Sequence, residues 1–174
     1  MLLWEQARQD AEQVRRMCNV TSFPVDVEEV IDKIGLEVKF APLDEGTSGF
    51  IIKRDHFSGP EIYIESSEPA VRQRFTMAHE LGHYFDRAHA DDEEYSFIDR
   101  RGSDHYDLTE FYADEFAGNL LMPESEIDRL QAEGVSSPVM AIHFGVSHPA
   151  MKRRLTRLDK IREIEETRTK APAE

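Results

Sequence analysis

The sequence carries a single cysteine, Cys18, among 174 residues. An intrachain disulfide is therefore excluded, and so is a metal site built on several thiolates. Long hydrophobic runs are missing as well: stretches such as Phe50-Ile51-Ile52 fall far short of the roughly 20 apolar residues that span a bilayer. No internal repeat and no low-complexity segment interrupts the chain. The opening Met1-Leu2-Leu3-Trp4-Glu5 has neither the basic start nor the apolar stretch of a signal peptide, so the expected compartment is the cytoplasm. Positive charge is scarce too, with 21 Lys and Arg against 35 Asp and Glu and a formal net charge of −14. Such a chain repels a phosphate backbone, which argues against broad, sequence-independent binding to nucleic acid. One local exception is the segment 152–162, where Lys152, Arg153, Arg154, Arg157, Lys160 and Arg162 face Asp159 alone.

What is present suits one ordinary domain able to bury a core, with 40% apolar and 32% charged residues. Leu3, Ala7, Ala11 and Val14 are spaced as one face of a helix over 2–17. Asp26 is placed to cap a second helix, with Glu29 three residues on, and Gly35 to stop it. Three β-rich runs follow: Leu36–Ala41, Gly49–Lys53 and Glu61–Glu65, the last two joined as a hairpin through Arg54–Pro60. Together they predict a small antiparallel three-stranded sheet. A helix is expected from Pro69 to Asp86, with Val71, Phe75, Ala78, Leu81 and Phe85 forming one apolar stripe. Residues 88–106 are acidic and aperiodic and read as a long surface loop, of a length that more often serves function than mere connection. Further helices are expected over 108–121, 123–132, 137–143 and 147–164, ahead of a flexible charged tail at 165–174.

The pattern H-E-x-x-H occurs once, at His79-Glu80-Leu81-Gly82-His83. Residues four apart share a helix face, so His79 and His83 can offer two imidazole nitrogens to one zinc ion. Glu80 is offset by one position and projects beside the metal, where it can take a proton from water. Gly82 leaves room for another element to pack close. A catalytic zinc takes three protein ligands and keeps one position open. The acids of Glu110-Phe111-Tyr112-Ala113-Asp114-Glu115 are the natural source of the third. Glu110 is the economical assignment, with Asp114, one turn on, accepting the outer N–H of a ligand histidine; Glu115 is the rival ligand. Candidates for stabilising an oxyanion are His89, His105, Tyr84, Tyr106 and Tyr112. His143 and His148 read as packing or surface residues rather than ligands.

Phe75-Thr76-Met77-Ala78 before the motif, and Glu110-x-x-Ala113-Asp114-x-Phe116-Ala117-x-x-Leu120-Leu121-Met122-Pro123 after it, resemble the ImmA/IrrE metallopeptidase family. The resemblance covers most of residues 20–158. It implies an α+β fold in which zincin-like helices carry both motifs over residues 1–134, with a helix-turn-helix-like segment at 135–164 packed on them. It also implies that His79, His83 and Glu110 bind one zinc ion, with Mn2+ a possible substitute in vitro, and that Glu80 is the catalytic base. Many relatives carry Asn where this chain has Asp114. Some members add a large C-terminal sensor domain; this chain is expected to be a short form. The family is bacterial and often encoded on phages or mobile elements. Its members act as site-specific proteases on a partner helix-turn-helix repressor, releasing the genes of a mobile-element or stress regulon.

A competing reading comes from the C-terminal segment. Val139–Phe144, Gly145, and then Ser147 leading into Met151, Leu155 and Leu158 have the look of a helix-turn-helix, with basic residues on the second helix. A DNA-binding regulator acting through 139–162, with a structural or sensory metal, is that alternative. A module that sequesters the repressor without cutting it is another.

Overall fold

The computed structural model describes residues 1–53, 59–88, 95–100 and 108–170. Helix α1 (Leu3–Met17) buries Trp4, Ala7, Ala11 and Val14 along one face. Helix α2 (Val27–Ile34) starts where Asp26 accepts the backbone N–H of Glu29 at 3.0 Å. It ends at Gly35, whose φ of 87° is a left-handed conformation that costs glycine little. Strands β1 (Glu37–Ala41), β2 (Thr47–Lys53) and β3 (Glu61–Glu65) follow, then helix α3 (Ala70–Ala88), strand β4 (Tyr95–Arg100) and helix α4 (Leu108–Leu121). Helices α5 (Glu124–Ala132), α6 (Ser137–Phe144) and α7 (His148–Lys170) complete the described chain.

The α+β class and each expected helix are present, but the sheet differs from the antiparallel three-stranded expectation. It is mixed and four-stranded, in the order β1-β3-β2-β4. Strands β2 and β3 pair antiparallel, as a hairpin requires, whereas β1 pairs with β3 in parallel. Burial agrees with this order: Ile62 and Ile64 of the interior strand β3 are fully buried, while the edge strand β1 exposes Glu37 and Phe40. Strand β4 lies within the segment read as a loop and extends the sheet beyond β2. The sequence signal for it is slight, since the alternation of Tyr95-Ser96-Phe97 is broken at Ile98. Most of the rest of 88–106 lies outside the described residues.

Helix α3 is more central than a one-sided stripe implies. Val71 is 37% exposed, yet every residue from Thr76 to His83 is buried, whichever way it faces. The sheet covers one side of α3 and α4 the other. Two glycines permit this: a Cβ on Gly49 of β2 would come within 2.6 Å of Thr76 Cγ2, and one on Gly82 within 2.8 Å of Ala113 Cα. Helix α7 also continues to Lys170, through much of the expected tail. Ion pairs hold it down, from Arg162 to Glu124 at 2.9 Å and from Arg168 to Glu5 at 2.6 Å.

Candidate metal centre

The HExxH segment occupies the buried middle of α3, and α4 crosses it where Gly82 has no side chain. Because Ala113 sits against Gly82, Glu110 on the preceding turn of α4 is carried over the two histidines. The Nε2 atoms of His79 and His83 are 3.1 Å apart. The Glu110 carboxylate reaches both, Oε2 lying 3.3 Å from His79 Nε2 and Oε1 3.3 Å from His83 Nε2. Among the described residues these three form a group able to hold a metal ion.

The donor set fits an ion. Asp114 Oδ1 lies 3.0 Å from His79 Nδ1. With Nδ1 protonated toward that carboxylate, the Nε2 lone pair points at His83 and Glu110. Lone pairs converging in a buried site repel one another unless a cation or a proton stands between them. A tetrahedral zinc ion with bonds of about 2.0–2.1 Å sets its donors about 3.3 Å apart, close to the separations found here. Both histidines are almost fully buried, while Glu110 and Asp114 keep 26% and 42% of their side chains exposed. The site therefore opens to solvent on the α4 side.

The same contacts set the protonation of these groups when no ion intervenes. Burial disfavours the charged imidazole of His79, but bonds to Asp114 and Glu110 and the nearby charge of Glu80 outweigh it. The His79 pKa is raised well above its ordinary value. Glu110 is pushed far below the ordinary carboxylate range by its bonds to His79 and His83. Glu80 is itself fully buried on α3 beside the ligands.

Other candidates fall elsewhere. Glu115 faces away from the histidines, toward α7, where it bonds Arg157 and lies 3.9 Å from Arg154; it is not a ligand. Tyr112 is buried and donates its hydroxyl to Asp10 Oδ2 on α1, which ties α4 to α1 and takes it out of the oxyanion role. Tyr84 is half-buried, its ring set edge-on to Phe85 at 5.3 Å. His89, His105 and Tyr106 lie outside the described residues. His143 pairs with Glu126 at 2.9 Å between rings of Phe23 and Phe144, and His148 lies 3.1 Å from Ser137 Oγ. Both serve the packing of the C-terminal helices.

In the segment expected to be helix-turn-helix-like, α6 and α7 are joined through Gly145, left-handed at φ 62°, and Ser147 Oγ accepts the N–H of Ala150 at 3.2 Å. Half of its basic residues, however, are used internally. Arg154 is buried and donates to Asn119 Oδ1 at 2.7 Å and to the Met122 carbonyl at 3.2 Å. Arg157 bonds Glu115 over the Phe111 ring, and Arg162 bonds Glu124. Periodicity could have separated Arg154 from the rest, since Arg154, Leu158 and Ile161 follow the buried stripe of α7.

Two histidines one turn apart on a buried helix, met by a carboxylate from a second helix and backed by a mixed sheet, define a zincin-like metallopeptidase. The family of the IrrE N-terminal-like domain, a metallopeptidase family, matches residues 31–156, and the chain belongs to it. No curated protein matches the chain. Among the described residues no helix is long and apolar enough to cross a membrane.

Proposed function

We propose that this protein is a cytoplasmic, zinc-dependent endopeptidase of bacterial origin that makes a site-specific cut in a partner helix-turn-helix repressor and so releases the repressed genes. The observation that carries the reading is the convergence of His79 Nε2, His83 Nε2 and the Glu110 carboxylate at 3.1–3.3 Å, with one side open. Two imidazoles and a carboxylate are a donor set suited to zinc. When bound, the ion supplies Lewis acidity that brings water toward ionisation near neutral pH and polarises a peptide carbonyl.

The protein's own residues do the rest. Glu80 takes the proton from water and hands it to the leaving amine. Asp114 holds His79 in the tautomer that leaves Nε2 free for the metal. The test is co-expression with a candidate helix-turn-helix repressor sought among the neighbouring genes. The wild-type protein is expected to yield two repressor fragments, and Glu80→Gln to retain zinc and yield none. Full derepression by Glu80→Gln would point instead to sequestration without cleavage.

A further inference from the structure

A cleft of about 440 Å³ lies between α4 and α7, directly beside the metal centre. Its floor is the same face of α4 that carries Glu110. Asp114, Gly118 and Met122 follow at successive spacings of four, and all three line the cleft. Asp114 thus belongs to both places, with one oxygen on His79 Nδ1 and its side chain at the near end of the cleft. Gly118 and Ala150 are small members of its lining, with the Arg154 side chain lying over Gly118, and Phe75 adds an apolar wall.

The opposite wall is basic. Lys152, Arg153, Arg154, Arg157 and Lys160 line the cleft, against the acids Asp114 and Glu115. Arg154 and Arg157 are engaged with Glu115 and the α4 terminus. Lys152, Arg153 and Lys160 are exposed, and none of them is taken up in an ion pair among the described residues. A concentration of free cations along one cleft stands out in a chain of net charge −14. In a molecule so acidic overall, this wall is where negative charge can be received.

We infer that the α4–α7 cleft is a substrate subsite that receives an acidic segment of the polypeptide being cut. This deepens the peptidase reading and rests on it. The scale follows from α4: at about 1.5 Å per residue, the floor from Asp114 to Met122 is about 12 Å long and starts about 6 Å beyond Glu110. Extended peptide rises about 3.3 Å per residue, so the acidic side chains fall between about two and five residues from the scissile bond.

Binding is measured with zinc-loaded Glu80→Gln protein and a fluorescein-labelled decapeptide that carries four glutamates among alanines. The control peptide has glutamine in their place, and a single-stranded DNA oligonucleotide is tested alongside. The acidic peptide is expected to bind in a salt-sensitive way and the glutamine peptide more weakly. The triple variant Lys152→Glu, Arg153→Glu, Lys160→Glu is expected to weaken acidic-peptide binding at least about tenfold, since three attractions become repulsions. In the cleavage-competent protein the same triple change is expected to raise KM for an acidic substrate and leave kcat unchanged. Acidic-peptide binding that is absent, or indifferent to the triple change, overturns the inference; so does DNA binding that depends on these residues while the acidic peptide does not bind. Because Glu80→Gln does not cleave, the peptide readout stands apart from any failure of the peptidase reading.

Discussion

Asp114 Oδ1 lies 3.0 Å from His79 Nδ1, which leaves His79 Nε2 facing His83 and Glu110. In the proposed metal site this carboxylate, one turn beyond Glu110, would act on the ligand set without belonging to it. Asp114→Ala is expected to weaken metal affinity about 10- to 100-fold, the usual cost of losing such a partner. Asp114→Asn keeps an acceptor oxygen and is expected to lose much less. Competition against a chelator measures both, and equal losses in the two variants would exclude an orienting role.

Gly82 tests how the two helices meet. An added methyl would stand 2.8 Å from Ala113 Cα and 3.1 Å from its carbonyl, both backbone atoms with no room to yield. Gly82→Ala is expected to destabilise the protein by about 1–3 kcal/mol, as overpacking does. It should also weaken metal binding, because pushing α4 outward carries Glu110 away from His79 and His83. Thermal unfolding and zinc titration of the variant read the two effects separately. Unchanged metal affinity in a destabilised variant would show that Glu110 does not depend on this contact.

The pH response should reverse with metal content. In metal-free protein, burial opposes a charged His79, but Asp114, Glu110 and Glu80 raise its pKa well above 6.5. Glu110, bonded to His79 and His83, is held well below 4.5. A raised imidazole stabilises the fold fully below its unfolded pKa, and that contribution is lost as pH rises through the folded value. A depressed carboxylate contributes above its unfolded pKa and loses the contribution as pH falls through the folded one. Both contributions are present between the two ordinary values, so this pair favours metal-free protein at about pH 5.5 over about pH 8. Metal requires neutral imidazole, so its own stabilisation shrinks over the same fall in pH. The gap between the Tm of zinc-loaded and chelator-treated protein is therefore expected to narrow from about pH 8 to about pH 5.5. A gap constant over that range would count against a histidine site.

Tyr112 separates a structural tyrosine from a catalytic one. Its buried hydroxyl donates to Asp10, which also receives the Gln6 amide at 3.1–3.2 Å. Tyr112→Phe is expected to cost about 1–3 kcal/mol, the penalty for removing a donor from a buried acceptor. Cleavage per folded molecule should stay the same. A drop in kcat at unchanged stability would restore Tyr112 to the candidates for oxyanion stabilisation.

By itself the sequence determined the local elements and the chemistry that sits on one helix. Apolar spacing, the Asp26 cap, the Gly35 stop and the break at Pro123 mark helices that depend mainly on their own neighbours, and the structure has them within a residue or two, except α7, which runs on to Lys170. The HExxH spacing likewise places His79 and His83 on one face, because four residues make about one turn. Tertiary structure alone decided the rest. Glu110 and Glu115 are alternatives in the sequence, and the crossing of α4 over Gly82 turns one toward the histidines and the other toward Arg157. The parallel pairing of β1 with β3, beside the buried Ile62 and Ile64, is a long-range contact that no property of β1 announces. The basic run 152–162 divides in the same way, into residues that lock α7 to α4 and residues left facing a cleft. Periodicity shows which side chains share a face, and only packing shows what that face meets.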